Sequence, residues 1–303
     1  MQDQNSVRHP LVTWLIRLAP ALFVVLWATG FIGAKYGMRD AEPFTFLAYR
    51  FWITGILLFP LLIWLLRQNG VSLGQALHSF VSGCLIHGIY LGGVFYAIDR
   101  GMAAGLSSLI VSLQPFLTVL LAAVFLGETA GKLRFIFFGV AIFGVGLVLF
   151  PNEDASSLAS GINAETLTAV FVATLGISIG SVYQKKYVTS LNLFASTCLQ
   201  FLGAAVMLSV VAFFVETGRI DWTSDLVFAM VWLVFVLSIG AVGLLMFLIR
   251  AGSSASVASL FFLVPVVAMF MAWALFGETL GTMQLFGSAV VVASVGMASR
   301  LKT

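Results

Sequence analysis

Few side chains in this sequence are equipped for chemistry, and their placement decides which kind. Gly176-Ile177-Ser178-Ile179-Gly180 spells the G-x-S-x-G pattern of a nucleophile elbow, in which a serine is exposed on a strand-to-helix turn. Here the five residues lie inside an apolar run, and no acid is placed to orient His87 as a base. Gly-x-x-x-Gly helix packing accounts for the motif instead. No H-E-x-x-H, paired C-x-x-C or phosphate-cradling glycine loop occurs. Neither an enzyme nor a metal or cofactor site is therefore expected. Cys84 and Cys198 sit within apolar segments and read as small buried side chains.

What remains is a sparse set of ionisable and polar groups in apolar surroundings. Arg50 stands roughly 9 Å into its apolar run at about 1.5 Å per residue, a costly place for a cation. Two arrangements relieve it. One is attraction of a solute carboxylate; the other, which is expected, is snorkelling to the headgroups or pairing with Asp40 or Glu42. Glu128 and Glu278 end apolar runs inside Gly-x-x-x-Gly turns, at the interface where ionisation is cheap. Lys132 and Arg134 are close enough in sequence to pair with Glu128, and a structural or gating role is expected for both acids. No acid lies at the middle of any apolar run, and His87 is the one ionisable side chain near mid-depth. Proton-coupled carriers usually bury such groups, so transport, if it occurs, is expected to be facilitative or weakly coupled. Trp27, His87, Tyr90, Gln114 and Tyr183, with Ser178 and Ser181, are the polar and aromatic groups at mid-depth and the candidates for a solute-binding wall. Gln114 leads them, because Pro115 beside it kinks the helix and a kink with an amide makes a natural cavity wall. Pro265 is the corresponding residue later in the chain.

These residues are carried by 303 amino acids, of which 61% are hydrophobic and 9% charged, against about 25% charged in an ordinary soluble protein. The basic residues form no run, so no nucleic-acid partner is expected. A hydrocarbon core of about 30 Å takes roughly 20 apolar residues per helix. Ten runs meet that criterion: 18–37, 44–66, 77–98, 103–126, 134–150, 164–187, 193–215, 226–249, 254–276 and 282–300. The first reads as a retained helix, since Leu18 to Ala34 is uncharged and long enough to span. The fold class expected is an all-α membrane protein.

Residues 100–146 return at 250–296 without an insertion. Arg100 matches Arg250, Pro115 matches Pro265, and Gly127-Glu128-Thr129-Ala130-Gly131 matches Gly277-Glu278-Thr279-Leu280-Gly281, each 150 positions on. Lys35 and Lys185 are also equivalent and are expected to anchor span ends, while Arg50 corresponds to Gln200. The chain is thus two five-span units, 18–150 and 164–300, joined by an outside linker at 151–163. With the N-terminus inside, ten Lys/Arg residues fall on inner segments and four on outer ones, which places both termini in the cytoplasm. Five is odd, so the second unit enters the membrane upside down. The result is a 5+5 inverted-topology repeat of ten helices, the architecture of carriers that bind cargo between repeats. The small residues of 102–108 and of Gly252-Ser253-Ser254-Ala255-Ser256 suit close packing or a gate.

The runs ending Pro115…Gly127-Glu128 and Pro265…Gly277-Glu278 resemble the EamA-type repeat of the drug/metabolite transporter superfamily. Leu26-Trp27-Ala28-Thr29-Gly30 and Tyr49-Arg50-Phe51 are similar to that family's opening pattern. The resemblance implies a carrier of the bacterial inner membrane with a central cavity drawn from spans one, three, four, six, eight and nine; whether it is a monomer or a homodimer stays open. Its implied activity is export of a small amphipathic metabolite, foremost an amino acid or derivative, by alternating access. Sugar-phosphate, nucleotide-sugar or drug transport is the alternative within the fold; a membrane enzyme or scaffold is the alternative outside it. Gln114 stands where some aromatic-amino-acid exporters carry a bulky aromatic, which leaves an aromatic cargo open to question.

Overall fold

The computed structural model describes residues 10–128, 131–149, 161–188, 191–251, 260–279 and 281–300. Ten apolar helices run through them: α1 Pro10–Gly37, α2 Pro43–Asn69, α3 Leu73–Asp99, α4 Ala104–Leu126, α5 Lys132–Leu149, α6 Ala164–Tyr187, α7 Leu193–Val215, α8 Ser224–Leu248, α9 Phe261–Phe276 and α10 Thr282–Arg300. The first eight contain stretches long and apolar enough to cross a membrane, and among the described residues α9 and α10 carry the apolar stretches Phe261–Phe276 and Thr282–Ala298. Residues 151–160 of the expected linker and the small-residue turn at 252–256 lie outside the described residues.

Lipid offers no hydrogen bonds, so each span closes its backbone on itself. The ends obey ordinary capping chemistry. Ser72 and Gln75 form a capping box at α3, Asn163 and Thr166 another at α6, and Asn192 and Thr223 cap α7 and α8. Gly127 and Gly277, equivalent residues, end α4 and α9 in the left-handed region at φ 69° and 67°. Phe143, Phe213, Phe214 and Phe270 are exposed on the outside of the bundle, as a surface solvated by lipid tails requires.

The principal packing crosses between the repeats. α2 packs on α7 and α5 on α10; α1 packs on α9 as α6 packs on α4; α3 packs on α6 and α7 as α8 packs on α1 and α2. Each of these pairings is either its own image under the repeat or has its image present, as two inverted copies related by a pseudo-twofold axis demand. Two contacts show why glycine is required. A Cβ on Gly176 or Gly180 would fall 2.6 Å from Ile89 or Ile86 of α3, so the G-x-S-x-G motif is a helix-packing face. At the α5–α10 crossing, a Cβ on Gly287 would sit 2.6 Å from the Gly144 carbonyl oxygen.

The prolines do more than bend continuous helices. Helical pattern lapses at Ser112–Leu113 and restarts at Gln114 with Pro115 in the first turn. In α9 a short 3₁₀ segment, Phe261–Leu263, precedes a restart at Val264 with Pro265 in the first turn. A first-turn proline forfeits nothing, because that N–H has no partner in a helix anyway. A second matched irregularity appears in α3 and α8. Cys84–Ile89 and Trp232–Ala241 are wide π-helical turns, and the two segments overlap under the 150-residue offset. Such turns are frequent at functional sites.

Candidate solute-binding cavity

Both irregularities open onto the same interior space. A cavity of about 500 Å³ is lined by residues of α1, α3, α4, α6, α8 and α9, among them Trp27, Tyr90, Gln114, Pro115, Gln184 and Pro265. An inner pocket of about 90 Å³ shares Trp27, Phe31, Ile86, Tyr90 and Ile177 with it and adds Arg50, His87 and Ser238. Together they fall within the size range of small-molecule sites. A larger groove of about 710 Å³ lies between α9 and α10. It is lined by Val266, Phe270, Trp273 and Leu285, all exposed on the outer face, and in a bilayer it would be filled by lipid.

Four of the five expected wall residues come together here. Trp27 packs its ring against Phe23 and Phe261 at 5.2 Å from each, and Tyr90 lines both spaces. His87 sits between the rings of Phe51 and Phe201, at 5.6 and 5.1 Å. Gln114 lines the larger cavity, with its side-chain Nε2 donating to Thr118 Oγ1 at 2.9 Å and its backbone carbonyl accepting from Ser178 Oγ at 3.3 Å. Ser181 lines the same wall. Tyr183 does not join them. Its hydroxyl meets His78 Nδ1 at 2.7 Å, and its ring packs with His78 and Tyr187 against α3. Depth along a helix is readable from sequence, but the side of the helix is not.

Arg50 departs most from expectation. It neither snorkels nor pairs with Asp40 or Glu42. It is 3% exposed, and both Nε and Nη2 donate to Ser238 Oγ of α8, at 3.2 and 3.0 Å. Its Nη1 has no hydrogen-bond partner. Asp40 and Glu42 are engaged elsewhere, with the 216–223 connection. Thr223 donates to Asp40 at 2.6 Å, and Glu42 accepts from the Thr217 and Arg219 amides at 3.2 and 2.8 Å. A cation inside a span is costly, up to roughly 2.5–3.5 kcal/mol at its centre on insertion scales, and Arg50, about a quarter of the way along α2, has one hydroxyl to offset its share.

The two expected gating acids reach across the repeats. Lys35 on α1 is salt-bridged to Glu278 after α9. Lys185 on α6 pairs with Glu128 after α4, at 2.6 Å. These pairs are images of each other, since both lysines and both glutamates stand 150 positions apart. Lys132 and Arg134, expected as neighbours of Glu128, are local in sequence; the partner found is in the other repeat. The environments differ sharply. Glu278 is 5% exposed, and its carboxylate also accepts from the Ala104 and Gly105 amides at the start of α4. The expectation of an acid at a solvated interface fails for Glu278 because α4 covers it. Glu128 and Lys185 are 44% and 61% exposed.

The end carrying Lys35 and Glu278 is further fastened by its loops. Ala41 pairs with Ile220 in a single antiparallel bridge, and Glu216 accepts from the Phe44 and Thr45 amides at 2.8 and 2.7 Å. The larger cavity extends the other way, reaching Thr118 and Gln184 beside Lys185. Sequence reading missed Ser238, Thr118 and Gln184. Only a serine alone in Trp232–Ala241 marked the first.

Residues 14–150 and 165–300 each match the model of the EamA-like transporter family. A protein of Escherichia coli (strain K12) named "Probable amino-acid metabolite efflux pump" is 27% identical over 285 residues, covering 90% of this chain and 91% of that one. Its namesake in Salmonella typhimurium is 29% identical over the same length. The "Uncharacterized inner membrane transporter YedA" of Escherichia coli is 26% identical over 286 residues, 93% of this chain and 90% of that one. A crystal structure 19% identical in sequence superimposes with a TM-score of 0.61, covering 94% of this chain and 98% of that one, which bears on the fold alone. Two family matches, one per repeat, span nearly the whole sequence, and the chain belongs to the EamA-like transporter family.

Proposed function

We propose that this chain exports a small amphipathic metabolite, an amino acid or derivative, across the bacterial inner membrane by alternating access. The observation carrying this is the pair of equivalent Lys–Glu bridges, one enclosed and one exposed, on opposite sides of a cavity between inverted repeats. A single fold with two such ends has two mirror-related states, and exchanging which bridge is enclosed exchanges which side is open. The distribution of Lys and Arg supports cytoplasmic termini, with five-helix units at 18–150 and 164–300 and the 151–163 linker outside. The Glu128–Lys185 end then faces the cytoplasm, and the structure is the inward-facing state. The names of the Escherichia coli and Salmonella relatives favour amino-acid metabolites over phosphorylated sugars. No carboxylate lines either space among the described residues, which favours flux uncoupled from the proton gradient.

Counterflow in proteoliposomes tests the proposal. Vesicles preloaded with neutral amino acids or their derivatives should accumulate labelled counterparts, and Gln114→Ala should slow exchange several-fold without loss of protein. Exchange confined to sugar phosphates would transfer the chain to the alternative cargo class, and exchange of nothing would remove it from the carriers.

A further inference from the structure

We infer that Arg50 receives the carboxylate of the transported solute, and that an ammonium group on that solute is dispensable for recognition. The inference deepens the transport reading above and rests on it.

A guanidinium offers five N–H donors in a planar fork. At Arg50, Nε and Nη2 converge on the one hydroxyl of Ser238, and Nη1 is left without a partner although the residue is 97% enclosed. The Phe51 ring, 5.2 Å away, makes a cation–π contact with the group. Among the described residues no carboxylate forms an ion pair with it. A charged group so incompletely satisfied is costly to a structure that has no use for it. A ligand carboxylate, with two oxygens at the spacing of the fork, is the group that completes it.

The surroundings specify the rest of the ligand. The pocket at Arg50 holds about 90 Å³, enough for a headgroup but not a whole metabolite. It opens through the shared wall of Trp27, Ile86, Tyr90 and Ile177 into the space of about 500 Å³. The head therefore lodges at Arg50 while an apolar or aromatic body occupies the larger cavity. Among the described residues no Asp or Glu lines either space, so an ammonium meets hydroxyls, carbonyls and ring faces there and gains no counter-charge. Among the described residues no second Lys or Arg lines them either, so the second charge of a phosphate monoester is unmatched. The class selected is the monocarboxylate, with or without a free amine.

The test uses full-length protein, in detergent for thermal shift and in proteoliposomes for counterflow. The probes are neutral L-amino acids, their N-acetyl derivatives, their carboxamides and glucose 6-phosphate. Acids and N-acetyl acids should stabilise the protein and exchange, with the carboxamides about 10- to 100-fold weaker. Arg50→Met should abolish that preference and yet melt no lower than wild type without solute, because it removes a half-partnered buried charge; Arg50→Lys should be intermediate in affinity. A purely structural arginine behaves oppositely: Arg50→Met lowers the melting point while the acid preference persists. That result, or carboxamides moving as well as acids in wild type, or exchange of glucose 6-phosphate alone, overturns the inference and leaves a transporter standing. Failure of the folded wild-type protein to exchange any probe brings down the transport reading itself, and this inference with it.

Discussion

The Lys35–Glu278 and Lys185–Glu128 bridges are built from the same residue types at equivalent positions, yet they live in different media. One is roofed by the first turn of α4, whose amides add two hydrogen bonds to Glu278 and whose positive end favours the carboxylate. Lys35 there also lies over the Phe276 ring, 4.7 Å from its centre. The other bridge is open to solvent on both partners, where an ion pair contributes about 0–1 kcal/mol. Identical chemistry therefore holds one end firmly and the other loosely. The difference lies in what covers the charges, and covering is what a conformational change alters.

The strongest way to break this comparison is to neutralise each acid in turn. A reporter cysteine at Ala103, which is 4% exposed beside the enclosed bridge, in a background lacking Cys84 and Cys198, reads how often that end opens. Glu278→Gln should raise labelling by an impermeant maleimide roughly thirtyfold. That corresponds to losing on the order of 2 kcal/mol, the range for breaking a buried pair discounted for the 30% exposure of Lys35. Glu128→Gln weakens the opposite state and should lower labelling. If both substitutions shift it the same way, the mirror relation between the ends is wrong. A smaller effect comes from reversing charges. Lys185→Glu with Glu128→Lys should restore flux nearly in full. Lys35→Glu with Glu278→Lys should recover only part, since the new lysine faces the α4 amides. Equal rescue at both ends would mean that α4 is a bystander.

The smallest effect concerns acid. Partial burial of Glu42 would raise its pKa, but hydrogen bonds from Thr217, Arg219 and Gly218 outweigh it and hold the carboxyl below its ordinary 4.5. A lowered carboxylate contributes stability above the unfolded value and loses it as pH falls through the folded one. Labelling at Ala103→Cys, expressed relative to a fully exposed reference thiol to remove the pH dependence of the maleimide reaction, should thus be flat from pH 7 to about 5 and rise only under more acidic conditions. A rise already at pH 6 would point to a different titrating group.

Much of this was legible in the sequence because it depends on one-dimensional facts. Apolar run length gives the ten helices to within a few residues, apart from the start of α1, which begins at Pro10 rather than 18; the start expected at 254 lies outside the described residues. The exact offset of Pro115 from Pro265 gives the duplication. The cavity residues Trp27, His87, Tyr90 and Gln114 follow from depth. What failed needed direction or distance. Tyr183 has the right depth but turns toward His78, and Arg50 has its partner 188 positions away on a helix that reads as uniformly apolar. The reciprocal bridges were half visible. Both lysines and both glutamates register under the repeat, but joining them requires knowing that α1 packs on α9 as α6 packs on α4.

The α2–α7 and α5–α10 couples are their own images under the pseudo-twofold. Interchanging the two repeats therefore asks nothing of them, whereas α1–α9 and α6–α4 must trade surroundings. The proposed alternation between mirror postures needs a chassis indifferent to posture, which these four helices would provide. Under that proposal the abutting backbones of Gly144 and Gly287 would serve as an axle bearing, tight enough to hold the copies in register while the remaining six helices tilt.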